Sequence, residues 1–324
     1  MTDHALLARL EGIGAGFART PVARLSHERL RLYAKLEFQN PTGSVKDRSA
    51  YLILRRAAER GELTSASVVV ESSSGNFAIS LASFCRAAGL SFVPVIDPNT
   101  NQSTERFLRA ACERVEKVTE RDESGGFLLS RLAAVRRLRA GLPDGYWPNQ
   151  YENADAADAH ELMTGAELCA ALERIDYVFV GVGTGATIAG VARCVKRLRS
   201  RAKVIAVDAE GSAIFGSPPR ARHIPGLGSA IRPPMVDRAE IDDVVLVPET
   251  ETVAACHALV REHGIYAGGS TGSVYAAIER YFAGYRGPAP VVAMLCADRG
   301  TAYADTVYRP GWLAERLPEP VLSI

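Results

Sequence analysis

Short apolar stretches alternate with longer amphipathic stretches along most of the chain. Residues 67–72 (SVVVES) and 91–97 (SFVPVID) have the length and the valine-rich composition of buried strands. Each is followed by apolar residues at helical spacing, and Gly89 stands where the first of these helices would end. Strands and helices that alternate in this way are typical of βαβ units on a parallel sheet.

The same alternation recurs in the second half of the chain. Residues 175–183, 203–211 and 289–300 predict strands, and residues 187–200 predict a helix between the first two. A Gly- and Pro-rich stretch at 216–234 has no such periodicity and is typical of a functional loop. For a chain of 324 residues we therefore predict an α/β protein with two subdomains, each a mostly parallel twisted sheet flanked by helices.

Composition and charge exclude several classes of function. The 38 Lys and Arg residues balance 37 Asp and Glu residues, so no net basic field attracts nucleic acid or an anionic membrane surface. Two locally basic stretches, 131–141 and 192–203, have apolar residues at helical spacing and predict amphipathic helices with solvated basic faces. No stretch reaches the roughly 18 apolar residues of a membrane span. We expect neither nucleic-acid nor membrane partners.

The cysteines and the start of the chain indicate the compartment. The six cysteines are isolated, none forms a C-x-x-C pair, and no neighbouring histidine has ligand spacing. We therefore predict no metal site and a reducing environment. Residues 1–14 lack the cationic and apolar segments of a secretory signal, so we expect a cytoplasmic protein.

Residues 178–190 (VFVGVGTGATIAG) combine an apolar strand, a glycine-rich turn and the start of a helix. Backbone N–H groups at such a helix N-terminus bind phosphate. Gly181, Gly183 and Ala186 also fit a dinucleotide fingerprint, with Asp208 near the position of a ribose-binding acid. A dinucleotide-dependent oxidoreductase is thus an alternative, although it leaves the polar stretches at 43–48 and 72–76 unexplained.

Four motifs in order, taken together, resemble a known family. They are NPTGSVKDR at 40–48, ESSSGN at 71–76, GTGAT at 183–187 and YAGGSTGS at 266–273. Their sequence and order are similar to those of the fold-type II pyridoxal-5′-phosphate enzymes of the cysteine synthase and cystathionine β-synthase family. The resemblance extends from residue 18 to residue 308.

This resemblance implies a fold and an assembly. The fold is the tryptophan synthase β-like fold of fold-type II enzymes. Residues 1–40 and 150–324 would form a large cofactor-binding subdomain, and residues 41–149 a small mobile subdomain that closes over substrate. The resemblance also implies a homodimer.

The resemblance further implies that the cofactor is pyridoxal 5′-phosphate and that Lys46 is the catalytic residue. Lys46 would form the Schiff base with the cofactor and later remove the α-proton of the substrate. A lysine amine in a dry site has a lowered pKa, which suits both roles. Asn76 is expected to bind the cofactor's 3′-oxygen and Ser270 its pyridine nitrogen. The phosphate is expected to bind Gly183, Thr184, Gly185, Ala186 and Thr187.

A second set of residues is expected to bind substrates. Ser73, Ser74 and Gly75 would hold the substrate carboxylate, although serines at this place also cap helices. Gln150 matches a substrate-side amide and Tyr151 is expected to orient the second substrate. Phe77 is expected to shape the pocket for a bulky nucleophile. Cations suited to a phosphate leaving group and a dicarboxylate are Arg131, Arg220, Arg222, His223 and Arg232.

The family replaces the β-substituent of an activated serine through an aminoacrylate intermediate, and two features indicate which substrates are used. Phe77 and Ala78 replace the threonine and glycine usual in cysteine synthases. Residues 264–279 and 297–308 resemble members that join O-phospho-L-serine to L-glutamate on the route to 2,3-diaminopropionate for siderophores or antibiotics, although Gly183 replaces their serine. The resemblance thus implies that reaction. The alternative is a cysteine synthase that uses O-phosphoserine or O-acetylserine and sulfide.

Overall fold

A computed structural model of the chain describes residues 3–123 and 125–316, so the outermost residues of the predicted large subdomain lie outside it. The strands are β1 (Val22–Leu25), β2 (Arg31–Leu36), β3 (Val68–Ser72), β4 (Ser91–Ile96), β5 (Glu116–Lys117), β6 (Gly145–Tyr146), β7 (Tyr177–Gly181), β8 (Lys203–Ala209), β9 (Asp243–Val247) and β10 (Val291–Cys296). The α-helices are α1 (His4–Ala15), α2 (Lys46–Glu59), α3 (Asn76–Ala88), α4 (Gln102–Ala111), α5 (Leu128–Ala140), α6 (Ala154–Ala159), α7 (Ala166–Ala171), α8 (Ala186–Leu198), α9 (Glu249–His263) and α10 (Gly269–Tyr281). A π-helix at His160–Gly165 joins α6 to α7.

These strands form two sheets. The larger sheet has the strand order β1-β2-β10-β7-β8-β9, and the smaller sheet has the order β5-β4-β3-β6. Every pair is parallel except β1 with β2, which is antiparallel. The predicted α/β architecture with mostly parallel sheets and flanking helices is confirmed.

Helices cover both faces of each sheet, as the continuous apolar runs of the strands require. In β7, Phe179 belongs to a buried cluster with α9 and α10, whereas its neighbours Val178 and Val180 belong to a cluster with α7 and α8. In β3, Val69 packs in a cluster with α2 and α3, and Val70 in a cluster with α5. Successive side chains point to opposite faces, so both faces acquire an apolar core.

The strands of the smaller sheet lie within residues 68–146, and those of the larger sheet lie on either side of that segment. The division into a large unit of 1–40 and 150–324 and a small unit of 41–149 is not tested by this arrangement. The exact division and the mobility of the small unit stay predictions. None of the described helices combines the length and the apolar composition that crossing a membrane requires.

Candidate active site

A cavity of about 300 Å³ lies at the carboxyl ends of β3, β7 and β10, between elements of the two sheets. Binding sites of parallel sheets are usually found at this edge. Ala186 does not line it, because its methyl group is buried in the core at the start of α8. The predicted residues that line it are Lys46, Ser73, Ser74, Gly75, Asn76, Phe77, Arg131, Gln150, Tyr151, Gly183, Thr184, Gly185, Thr187 and Ser270.

Lys46 is the first residue of α2 and reaches into this cavity. Its Nζ lies 3.3 Å from the hydroxyl oxygen of Thr184 in the glycine loop. Burial lowers the pKa of the Lys46 amine to about 8, against the opposing effect of the Glu71 carboxylate. About a tenth of this amine is therefore neutral at pH 7, far more than of an ordinary lysine, and the neutral form is the one that acts as a nucleophile or a base.

The charged residues that follow Lys46 anchor its helix. Asp47 accepts hydrogen bonds from the backbone N–H of Thr42 (2.6 Å) and from the hydroxyl of Ser80 in α3 (2.6 Å). Arg48 is 1% exposed and pairs with Glu37 (2.6 Å) and Glu167 (2.7 Å). Both side chains point into the protein and hold the start of α2 from two sides. Of the three consecutive charged residues 46–48, Lys46 is the one that lines the cavity.

The glycine loop brings the N-terminus of α8 to the cavity wall. Gly185, the N-cap of this 13-residue helix, has φ +89°, and a Cβ there would lie 2.8 Å from the backbone nitrogen of Val236. Only glycine fits this position. The first N–H groups of a helix have no partner within it, so this end of α8 can bind an anion.

The loop after β3 forms another wall of the cavity. The hydroxyl of Ser73 accepts a hydrogen bond from the N–H of Ala78 (3.1 Å) in the first turn of α3, whose N-cap is Gly75. The hydroxyl of Ser74 accepts a hydrogen bond from Nη1 of Arg131 (3.1 Å). The Nε of Arg131 lies 3.3 Å from Oδ2 of Asp97. These contacts hold the guanidinium at the cavity.

Gln150 is a buried cavity residue and not a free loop side chain. Its Nε2 donates to the carbonyl of Ser72 (3.2 Å), and its backbone N–H donates to the Glu71 carboxylate (3.3 Å). Burial raises the pKa of Glu71 to about 7, and burial also raises the pKa of Tyr151. A partly ionised carboxyl thus lies behind the loop that carries Ser73 and Ser74.

Two titratable residues of the cavity, Asp298 and Tyr303, were not singled out from the sequence. Asp298 accepts hydrogen bonds at Oδ2 from Nδ2 of Asn76 (2.7 Å) and from the hydroxyl of Tyr303 (3.0 Å). Burial raises the pKa of the Asp298 carboxyl to about 6. The available signal was its position directly after the apolar run of β10, where polar residues of parallel strands collect at the binding edge.

Four of the predicted cationic residues do not line the cavity. One is exposed to solvent, and the other three contact partners outside the cavity. Arg220 is exposed to solvent. Arg222 donates to the carbonyl of Leu227 (2.9 Å). His223 lies against Glu249 (2.9 Å) and Arg232 pairs with Asp237 (2.7 Å). The cationic side chains among the described lining residues are Lys46 and Arg131.

Asp208 does not support the dinucleotide alternative. It lies within β8, is fully buried, and its Oδ1 accepts a hydrogen bond from the N–H of Ala209 (2.8 Å). It does not line the cavity to which the glycine loop points. A ribose-binding acid must reach the ligand, and this side chain is enclosed by the protein.

Glu71→Gln should increase the reactivity of Lys46. The Glu71 carboxylate raises the pKa of the Lys46 amine, so its removal lowers that pKa below about 8 and leaves more neutral amine. In protein stripped of cofactor, where the Lys46 amine is free, we expect its reductive methylation, followed by peptide mass spectrometry, to become about twofold faster between pH 7 and 8. Glu62→Gln, an exposed change, serves as control. An unchanged pH profile in Glu71→Gln would contradict this coupling.

Comparison with known proteins finds a matching family model, a related protein and similar solved structures. Residues 13–297 match the family model of pyridoxal-phosphate dependent enzymes. The chain is 39% identical over 300 residues to the N-(2-amino-2-carboxyethyl)-L-glutamate synthase of Ralstonia nicotianae, covering 91% of this chain and 88% of that protein. The O-acetylserine dependent cystathionine β-synthase of Helicobacter pylori has a TM-score of 0.84 at 26% identity, covering 92% of this chain and 98% of that one. A mutant O-ureido-L-serine synthase bound to O-ureido-L-serine has a TM-score of 0.83 at 27% identity, covering 95% and 94%.

Proposed function

The chain belongs to the family of pyridoxal-phosphate dependent enzymes, and from this premise we propose that it replaces the phosphate of O-phospho-L-serine by the amino group of L-glutamate. The products are N-(2-amino-2-carboxyethyl)-L-glutamate, a precursor of L-2,3-diaminopropionate, and phosphate. One observation carries the proposal. A single cavity contains the Lys46 amine with its lowered pKa, the N-terminus of α8 and the guanidinium of Arg131.

The cavity residues fit the cofactor. Gly185 lets the loop lie against Val236, because a Cβ there would be 2.8 Å from the backbone nitrogen of Val236. In this position the first N–H groups of α8 suit the phosphate. Lys46 presents an amine for the aldehyde, Asn76 an amide donor for the 3′-oxygen, and Ser270, in the first turn of α10, a hydroxyl for the ring nitrogen. When bound, pyridoxal phosphate supplies a sink for the electron pair left on the substrate's α-carbon.

Lys46 has the properties of the base that removes the α-proton. Its pKa of about 8 lies near the working pH, where a general base is most efficient. The Thr184 hydroxyl, 3.3 Å from Nζ, orients the amine. Ser270 would meet the ring nitrogen of the bound cofactor with a neutral hydroxyl, which would leave the ring largely unprotonated and suit a reaction that eliminates a β-substituent.

Arg131 is the residue that we propose for the phosphate leaving group. A guanidinium has five N–H donors, and Ser74 and Asp97 contact two of the three nitrogen atoms. The remaining donors suit two oxygens of a phosphate. Phe77, which is 2% exposed yet lines the cavity, and Tyr151 supply apolar and aromatic surface for the second substrate.

The alternative, a cysteine synthase that uses sulfide, is favoured by one feature. Gly183 is a glycine, as in cysteine synthases, and not the serine expected of glutamate-using members. A Cβ at this position would lie 3.2 Å from the carbonyl oxygen of Gly226, so the loop leaves little room for a larger residue. The identity of the nucleophile therefore has to be tested directly.

The test is an assay of two donors, O-phospho-L-serine and O-acetyl-L-serine, against two nucleophiles, L-glutamate and sulfide. We expect phosphate release that depends on L-glutamate and a product with the mass of the glutamate adduct. Arg131→Gln should raise the KM for O-phospho-L-serine about tenfold or more and change that for O-acetyl-L-serine little. Turnover with sulfide alone would establish the cysteine synthase alternative, and no turnover with any pair would end the proposal.

Assembly and pathway are proposed from the resemblance alone. We propose a cytoplasmic homodimer that supplies 2,3-diaminopropionate to siderophore or antibiotic synthesis. Sedimentation equilibrium of the purified protein tests the dimer. A monomeric mass at micromolar concentration would contradict it.

A further inference from the structure

Asp298 links elements of the two sheets at the cavity. It lies two residues beyond β10 of the larger sheet and is 4% exposed. Its Oδ2 accepts a 2.7 Å hydrogen bond from Nδ2 of Asn76, the first residue of α3, which follows β3 of the smaller sheet. The hydroxyl of Tyr303 donates to the same oxygen at 3.0 Å. One carboxylate oxygen therefore receives two donors.

The backbone around Asp298 is fixed to the other parts of the site. The N–H of Val45, next to Lys46, donates to the carbonyl of Ala297 (2.8 Å), and Ser44 forms an isolated β-bridge with Asp298. The N–H of Gly268, the N-cap of α10, donates to the carbonyl of Asp298 (3.0 Å). The position of the carboxylate is thus tied to the segments that carry Lys46 and Ser270.

The second carboxylate oxygen of Asp298 is closely packed. Oδ1 of Asp298 is buried without a hydrogen-bond partner among the described residues. A Cβ at Gly268 would lie only 2.0 Å from this oxygen. The glycine at 268 therefore makes room for the Asp298 side chain, which indicates that the aspartate is an integral part of the site.

We propose that Asp298 is a positioning residue that fixes the carboxamide of Asn76 in one orientation. A carboxamide can turn by about 180° and exchange its oxygen and nitrogen with little change in shape. A carboxylate only accepts hydrogen bonds, so it pairs with Nδ2 and repels the oxygen of the turned amide. The second N–H of Nδ2 and the amide oxygen then keep fixed places in the cavity.

The ionisation of Asp298 supports this role. Burial raises the pKa of its carboxyl to about 6, so the group is mostly a carboxylate at pH 7.5. Hydrogen bonds to a carboxylate are stronger than those to a neutral acceptor. The inference rests on the proposed role of Asn76 as the ligand of the cofactor's 3′-oxygen.

The test compares Asp298→Ala, Asp298→Asn and Tyr303→Phe with the wild type. We expect Asp298→Ala to bind pyridoxal phosphate about tenfold more weakly in a fluorescence titration of protein stripped of cofactor. The visible absorption maximum of the loaded protein should also shift. Asp298→Asn should recover part of both, because its amide oxygen still accepts, and Tyr303→Phe should give a smaller loss. Asp208→Asn, a buried aspartate outside the cavity, is the matched control and should change neither.

A double-mutant cycle with Asn76→Ala separates the possible outcomes. We expect Asp298→Ala to have no further effect on the dissociation constant or the spectrum once Asn76 is alanine, because the two residues act as a unit. Equal effects in both backgrounds would overturn the inference, as would wild-type binding and spectra in the Asp298 variants. If Asn76→Ala itself changes nothing, the proposed role of Asn76 fails instead. If Asp298→Ala does not fold by circular dichroism, the cycle is run with Asp298→Asn.

Discussion

Lys46→Ala should abolish turnover and remove the visible absorption of the lysine-bound cofactor from the purified protein. The change deletes the amine that the structure places in the cavity, 3.3 Å from Thr184, with a pKa lowered to about 8. That amine serves in the proposal both as the covalent attachment and as the base, so we expect a loss of about 10⁴-fold or more in kcat. Phosphate release from O-phospho-L-serine and the absorption spectrum measure the two roles.

The control for this variant is Lys117→Ala, which removes a lysine that pairs with Glu105 away from the cavity. It should retain wild-type activity and colour. Lys46→Ala should still fold, because its neighbours Asp47 and Arg48 make the contacts that anchor α2. Wild-type turnover in Lys46→Ala would end the proposed function, and a normal spectrum would refute the assigned attachment site.

Individual strands and helices could be predicted from the sequence, because the spacing of apolar residues within each short segment shows which side chains are buried. The run at 67–72 is observed as β3 (Val68–Ser72), and Gly89 ends α3 with φ +70°. The order of the strands could not be predicted this way. β10 lies between β2 and β7, although these strands are far apart in the sequence. β2 pairs antiparallel with β1, and the apolar pattern of each strand alone does not show this pairing. Periodicity states which face of a strand is buried, and not which strand lies beside it.

The candidate site shows the same limit. The motifs that carry Lys46, Asn76 and Ser270 lie far apart in sequence, and the structure places all three in one cavity. Asp298 was missed because its partner Asn76 is 222 residues away, so no spacing in the sequence connects them. The cations of the loop at 216–234 were placed wrongly because the path of an irregular loop decides which side chains face the cavity.

Gly185→Ala should destabilise the protein and weaken cofactor binding far more than the same change at Gly216. Both glycines have a left-handed backbone, with φ +89° and +87°. Alanine in this region costs about 1–2 kcal/mol of the free energy of unfolding, and both variants share that cost. At Gly216 a Cβ would meet no atom within 4 Å, whereas at Gly185 it would lie 2.8 Å from the backbone nitrogen of Val236.

The difference between the two variants isolates the steric clash at the glycine loop. Val236 cannot move away freely, because its N–H donates to the carbonyl of Pro233 (3.0 Å). The loop before α8 must move instead, which displaces the N–H groups proposed to hold the phosphate. We expect urea unfolding to show a loss of about 3 kcal/mol or more in Gly185→Ala against about 1–2 kcal/mol in Gly216→Ala. The dissociation constant for pyridoxal phosphate should rise about thirtyfold in the first variant alone, since several N–H contacts are lost together. An equal change in the dissociation constant for pyridoxal phosphate in the two variants would show that this loop does not hold the phosphate.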